Sequence, residues 1–159
     1  DGNKKCASLI EWIKKWEAAG AKIDGIGTQM HVSYIANSDD QKAQEAAIVN
    51  MFKMMAATGK LVRVSELDMG YCEKAFADGK KTSELTFEQE KQMSDFYKFI
   101  VKAYLENVPA AQQYGITQWC ITDAPDNSGW RGGEPVGLWT QGYERKPAYA
   151  GFAEGLQGK

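Results

Sequence analysis

Three short stretches of the chain end in side chains capable of chemistry. They are Gln29-Met30-His31, Glu66-Leu67-Asp68 and Trp119-Cys120-Ile121-Thr122-Asp123. Side chains alternate along an extended strand, so Gln29 shares a face with His31, Glu66 with Asp68, and Trp119 with Asp123. A single carboxylate at a strand exit is ordinarily a solvated group, and a lone histidine is ordinarily a satisfied core residue. Three such ends in succession argue for more. Carboxylates perform nucleophilic and acid–base work, amides and imidazoles bind hydroxyls, and an indole covers the apolar face of a pyranose. The combination suits sugar chemistry.

Those ends must be positioned by regular elements, and the apolar spacing supplies them. Residues 4–19 carry Leu9, Trp12, Ile13 and Trp16 at helical spacing, which predicts an amphipathic helix with both tryptophans in the core and Gly20 at its end. Ile23 to Val32 reads as a strand. Asp39 to Thr58 reads as a helix capped by Ser38 or Asp39, buried through Ala47, Ile48, Met51, Phe52 and Met55, and stopped by Gly59. Leu61 to Leu67 is a β-branched strand, followed by a polar loop over 70–85. Thr86 and Gln89 form a capping box that opens a helix with the stripe Met93, Phe96, Tyr97, Ile100, Val101 and Tyr104. Ile116 to Thr122 is the third strand, then comes a Gly/Pro-rich loop, and Pro147 starts a last helix over Ala148 to Gly155. Strands alternating with helices predict βα units on a parallel sheet, an α/β fold, and functional residues in such folds gather at the strands' carboxyl ends.

Composition narrows the function further. The 159 residues carry a formal net charge of −2 and are 43% hydrophobic, the make-up of an ordinary globular protein. There is no basic stripe for nucleic acid and no apolar run long enough for a membrane span. One histidine and three scattered cysteines give neither a zinc site nor a disulfide framework. Cys6, Cys72 and Cys120 are read as thiols, with a Cys72–Cys120 bridge as the alternative. No linker or repeat divides the chain, so residues 1–159 form one domain or part of one.

The segments GIGTQMHV (25–32), VSELDM (64–69), ITQWCITDAPDNSGWRGGEPVGLW (116–139) and KPAYAGF (146–152) resemble glycoside hydrolase family 10, mainly endo-β-1,4-xylanases on a TIM (β/α)8 barrel. The resemblance runs nearly end to end. It implies that Glu66, on the seventh barrel strand, is the catalytic nucleophile. Gln29 and His31, on the sixth, would bind the sugar beside the scissile bond, and Asp68 would orient that histidine. Trp119, on the eighth, and Trp130, in the loop after it, would wall the glycone side. Arg131 falls in the Trp-Arg pair that follows the eighth strand and is carried over as a substrate-binding residue. Trp139 is balanced between sugar contact and packing. The implied chemistry is retaining hydrolysis of xylan without metal or cofactor. It needs an ionised carboxylate as nucleophile and a second carboxyl group about 5–5.5 Å away as acid/base.

The resemblance also implies a deficit. The family's acid/base lies in an Asn-Glu motif on the fourth strand, and no Asn-Glu dipeptide occurs in this sequence. Aligned by its motifs, the chain starts in the helix before strand six, so strands one to five and the acid/base are expected elsewhere, in cis or on a second chain. Asp123, Asp126, Glu134 and Glu144 are candidates for a replacement acid. Asp123 is the least unsuitable, although anchoring the following loop fits it better. Cys120 stands where the family usually has glycine. A full barrel takes roughly 250 residues, so the chain is expected to be a partial barrel with open sheet edges, unstable alone and inactive or severely impaired on xylan. The complete enzyme is expected to be secreted, periplasmic or on the cell surface. The alternatives are a fragment that binds xylan or supports another chain without catalysis, and a cellulase-like retaining barrel enzyme.

Overall fold

A computed structural model describes residues 3–158. Its elements are α1 (Lys4–Ala18), β1 (Gly25–Ile35), α2 (Ser38–Ala56), β2 (Leu61–Cys72), α3 (Phe87–Asn107), β3 (Gln113–Gln118) and α4 (Pro147–Leu156), with single 3-10 turns at Thr82–Glu84 and Ala110–Gln112. The three strands form one parallel sheet in the order β1-β2-β3. Successive βα units, each strand followed by a helix, make this an α/β arrangement.

The helices follow their sequence signals closely. At the start of α3 the Thr86 hydroxyl accepts from the Gln89 backbone N–H at 3.3 Å, and the Thr86 N–H donates to Gln89 Oε1 at 3.0 Å. Two of the orphan donors of that helix end are thereby satisfied. All six residues of the α3 stripe, Met93 to Tyr104, are buried, five of them in the core with the sheet and Val101 beside Gly155 of α4. The Tyr104 hydroxyl donates to the Val62 carbonyl at 2.8 Å and accepts from the Gly115 N–H at 3.0 Å, tying α3 to β2 and β3. The cap of α2 is Asn37, one residue before the expected one. Its side-chain oxygen accepts from the Asp39 and Asp40 N–H groups.

Strand ends depart further from expectation. β1 and β2 pair without a break from Met30↔Leu67 to Ile35↔Cys72. Each therefore runs several residues past its apolar stretch, and the expected loop at 70 begins only after Cys72. Conversely, β3 ends at Gln118, not Thr122. The Trp119 N–H still donates to the Leu67 carbonyl, and beyond it the chain leaves β2 and pairs with a later segment: Ile121 accepts from the Leu138 and Trp139 N–H groups, and Asp123 N–H donates to the Trp139 carbonyl. Trp119 thus lies just past the strand.

The other correction concerns α1. Ile13 is its only buried residue, and Trp12 and Trp16 are 49% and 45% exposed. Their rings contact each other at 5.9 Å between centroids. The stripe is apolar as read, but among the described residues nothing covers the part that carries the indoles.

The long loop after β3 is fastened from within. Asp123 and Lys146, both side chains 2% exposed, form an ion pair at 2.6 Å. Asp123 also accepts from the Gly137 N–H, and Lys146 donates to the Pro135 carbonyl. Asp123 is therefore a loop anchor and not a free acid. Removing one partner strands the other charge in the interior. Lys146→Met is expected to lower stability by about 3–5 kcal/mol in chemical denaturation, with the double variant Asp123→Leu/Lys146→Met recovering part of the loss.

Candidate active site

Parallel pairing sets the site geometry before any side chain is considered. Gln29 lies opposite Glu66, and His31 opposite Asp68. The His31 imidazole is held between the two carboxylates: Nε2 is 2.9 Å from Glu66 Oε2, and Nδ1 is 2.9 Å from Asp68 Oδ2. A neutral imidazole can donate at only one nitrogen. With both carboxylates ionised, both contacts are satisfied only when the ring carries two protons. Glu66 and His31 side chains remain 19% exposed, whereas Asp68 is wholly buried. Glu66 is thus the carboxylate accessible to a ligand.

The tryptophans complete the surroundings. Trp130 is 42% exposed. Its indole N–H donates to Asp68 Oδ2 at 2.9 Å, and its ring meets His31 edge-on at 4.5 Å. Trp119, half exposed, stands edge-on to His31 at 6.3 Å. Gln29 is exposed at its strand position beside Glu66. Trp139 packs edge-on against Tyr149 at 5.0 Å next to the core, which settles it as a packing residue.

Arg131 requires a correction. Its five N–H donors are all engaged within the protein: Nη1 on Asp68 Oδ1 and the Val32 carbonyl, Nη2 on Ser33 Oγ and Glu134 Oε2, and Nε on Glu134. None is left for a sugar hydroxyl. Burial opposes its charge, but the Glu134 and Asp68 carboxylates outweigh that and hold the guanidinium above its usual pKa. The sequence reading missed this use of Glu134 and Ser33, and the indole bond of Trp130. The i, i+3 spacing of Arg131 and Glu134 was the available clue.

Cys6, Cys72 and Cys120 are all free thiols. Cys120 Sγ lies 3.9 Å from Asp68 Oδ2. Burial, then the negative charge of Asp68, pushes its pKa from 9.0 up to about 11. A raised pKa means less thiolate at every pH below it, about a hundredfold less for a two-unit rise. Alkylation of Cys120 by iodoacetamide, followed by peptide mass spectrometry, should be about a hundredfold slower at pH 8 than that of a free thiol. It should accelerate toward pH 11, and Asp68→Asn should shift that rise to lower pH.

Comparison with known proteins shows the family. The model of glycosyl hydrolase family 10 matches residues 1–155. The endo-β-1,4-xylanase Xyn10C of Cellvibrio japonicus is 32% identical over 171 residues, covering 98% of this chain and 26% of that protein. The endo-1,4-β-xylanase A of the same species is 29% identical and covers all of this chain and 27% of its own length. The solved structure of native xylanase 10C from C. japonicus superposes with a TM-score of 0.79 at 30% identity, over 99% of this chain and 34% of that one. A mutant of the same xylanase in complex with xylopentaose gives 0.78. The chain thus spans about a quarter of the length of these curated relatives, and its three strands correspond to part of a xylanase barrel. With these motifs in order on this fold, the chain belongs to glycosyl hydrolase family 10.

Proposed function

We propose that this chain is the nucleophile-bearing portion of a retaining endo-1,4-β-xylanase, comprising strands six to eight of the barrel. The observation that carries the reading is the Glu66 carboxylate, partly exposed at the carboxyl end of the sheet and held 2.9 Å from His31 Nε2. Glu66 attacks the anomeric carbon of a xylosyl unit, and the glycosidic C–O bond breaks as the glycosyl-enzyme bond forms. A second carboxyl group protonates the departing oxygen and then activates the water that releases the sugar. That group comes from sequence outside these residues, supplied in cis or by a second chain. His31 orients the Glu66 carboxylate through its Nε2 contact, while Asp68 fixes the ring. Trp119 and the exposed face of Trp130 serve as platforms for the glycone sugars, and Gln29 reaches a hydroxyl beside the scissile bond. The xylopentaose bound by the related C. japonicus xylanase supports a xylooligosaccharide as ligand. A polymeric substrate places the work of the complete enzyme outside the cell.

Two measurements test this. The chain should form a covalent adduct with a 2-deoxy-2-fluoro xylobioside carrying a dinitrophenyl leaving group. That leaving group needs no protonation, so the missing acid does not matter. Intact mass should rise by one fluoroglycosyl unit mapped to Glu66, with no adduct in Glu66→Gln. An adduct on another residue, or none, rejects Glu66. The chain alone should hydrolyse polymeric xylan at a small fraction, about 1% or less, of its rate on an activated aryl xyloside. Efficient release of reducing ends from xylan by the chain alone rejects the external acid.

A further inference from the structure

We propose that Glu134 and Arg131 are positioning residues for the nucleophile, acting through Asp68 and His31. The inference rests on the reading of Glu66 just given and gives Glu134 a part in that site. An unbroken chain of hydrogen bonds connects the five side chains. Glu134 Oε2 accepts from Arg131 Nε at 3.0 Å and Nη2 at 2.7 Å. Arg131 Nη1 donates to Asp68 Oδ1 at 2.8 Å. The opposite oxygen of Asp68 takes the His31 Nδ1 contact, and His31 Nε2 meets Glu66. The two oxygens of Asp68 thus face opposite ways, one toward the strut and one toward the ring. Whatever fixes Arg131 fixes the carboxylate plane against which His31 is oriented.

Three features indicate a built strut and not a chance surface pair. Arg131 and Glu134 side chains are only 14% and 16% exposed. The Arg131 backbone is left-handed, φ 47°, a conformation uncommon for a long side chain and sustained only where the surroundings demand it. Space is also reserved for the pair. A Cβ on Gly70 would collide with both the Arg131 guanidinium and the Glu134 carboxylate, and a Cβ on Gly79 would collide with the Glu134 carboxylate. Gly70 lies in β2 and Gly79 in the loop that follows it. Two separate backbone positions therefore leave room for one ion pair. The same arrangement excludes Glu134 as a replacement acid, since its carboxylate is clamped by a guanidinium.

His31 is the only histidine in the chain, so its ring nitrogens give unambiguous NMR signals in the uniformly 15N-labelled full chain. The Trp130 indole N–H supplies a second signal on the same Asp68 oxygen. Two variants disturb the strut by different means. Glu134→Gln removes the charge at constant shape, and Gly79→Ala displaces the carboxylate while keeping it. Glu66, Asp68 and Arg131 are the charged groups around His31, and all three remain. Each variant is expected to move both the His31 ring-nitrogen and the Trp130 indole signals. Glu134→Asp should restore part of the wild-type pattern. If both sets of signals stay unchanged in either folded variant, whether or not it loses thermal stability, the pair is only a loop anchor and the proposal is overturned. Failure of the Glu66 labelling with these shifts intact would instead overturn the nucleophile assignment and leave the linkage standing.

Discussion

The buried carboxylate of Asp68 is the constraint around which the rest of the site is arranged. An ionised carboxylate without solvent is costly unless its lone pairs are met by donors. Here the donors are His31 from β1, and Trp130 and Arg131 from the loop after β3, with the Cys120 thiol alongside. Satisfying one residue of the central strand therefore forces a distant loop to fold down over the carboxyl ends of β1 and β2. That loop is held a second time by the buried Asp123–Lys146 pair. An exposed ring on a loop would ordinarily sample many positions. Trp130 is partly exposed yet tethered at its indole nitrogen, so a face available to ligand sits on a fixed support.

The sequence revealed helices better than strand ends, and the reason is where the determining partner lies. A capping box such as Thr86/Gln89 closes within four residues, and the stripe of α3 repeats within its own helix, so both are visible in a local window. Gln118 ends β3 because the chain beyond it pairs with residues 138 and 139, and no local pattern announces that. The same limit explains the tryptophans of α1. Trp12 and Trp16 have the periodicity of buried residues such as Phe96 and Tyr97, but periodicity reports a face and not what covers it. The face was read correctly, and its cover is not among the described residues.

The site was legible in its residue types and much less so in its wiring. Glu66, His31 and Asp68 could be grouped from alternation along two strands, because parallel pairing converts that alternation into adjacency. Arg131 was carried over as a sugar contact because it follows Trp130 in the Trp-Arg pair of the family. Its engagement by Glu134, Ser33, Val32 and Asp68 spans up to 99 residues of sequence and depends on a left-handed backbone at a non-glycine position. Propensity gives no warning of either.

These two levels together divide the labour of the site. Every hydrogen bond that orients His31 and Trp130 originates between residues 31 and 134 of this chain, so orientation of the Glu66 side is internally complete. Gln29, Trp119 and part of the Trp130 ring are exposed beside that network. On the proposed reading, the group that protonates the leaving oxygen comes from outside these residues. On that reading the two carboxyl groups work on the same glycosidic bond, Glu66 attacking its anomeric carbon and the acid/base protonating its oxygen from about 5–5.5 Å away.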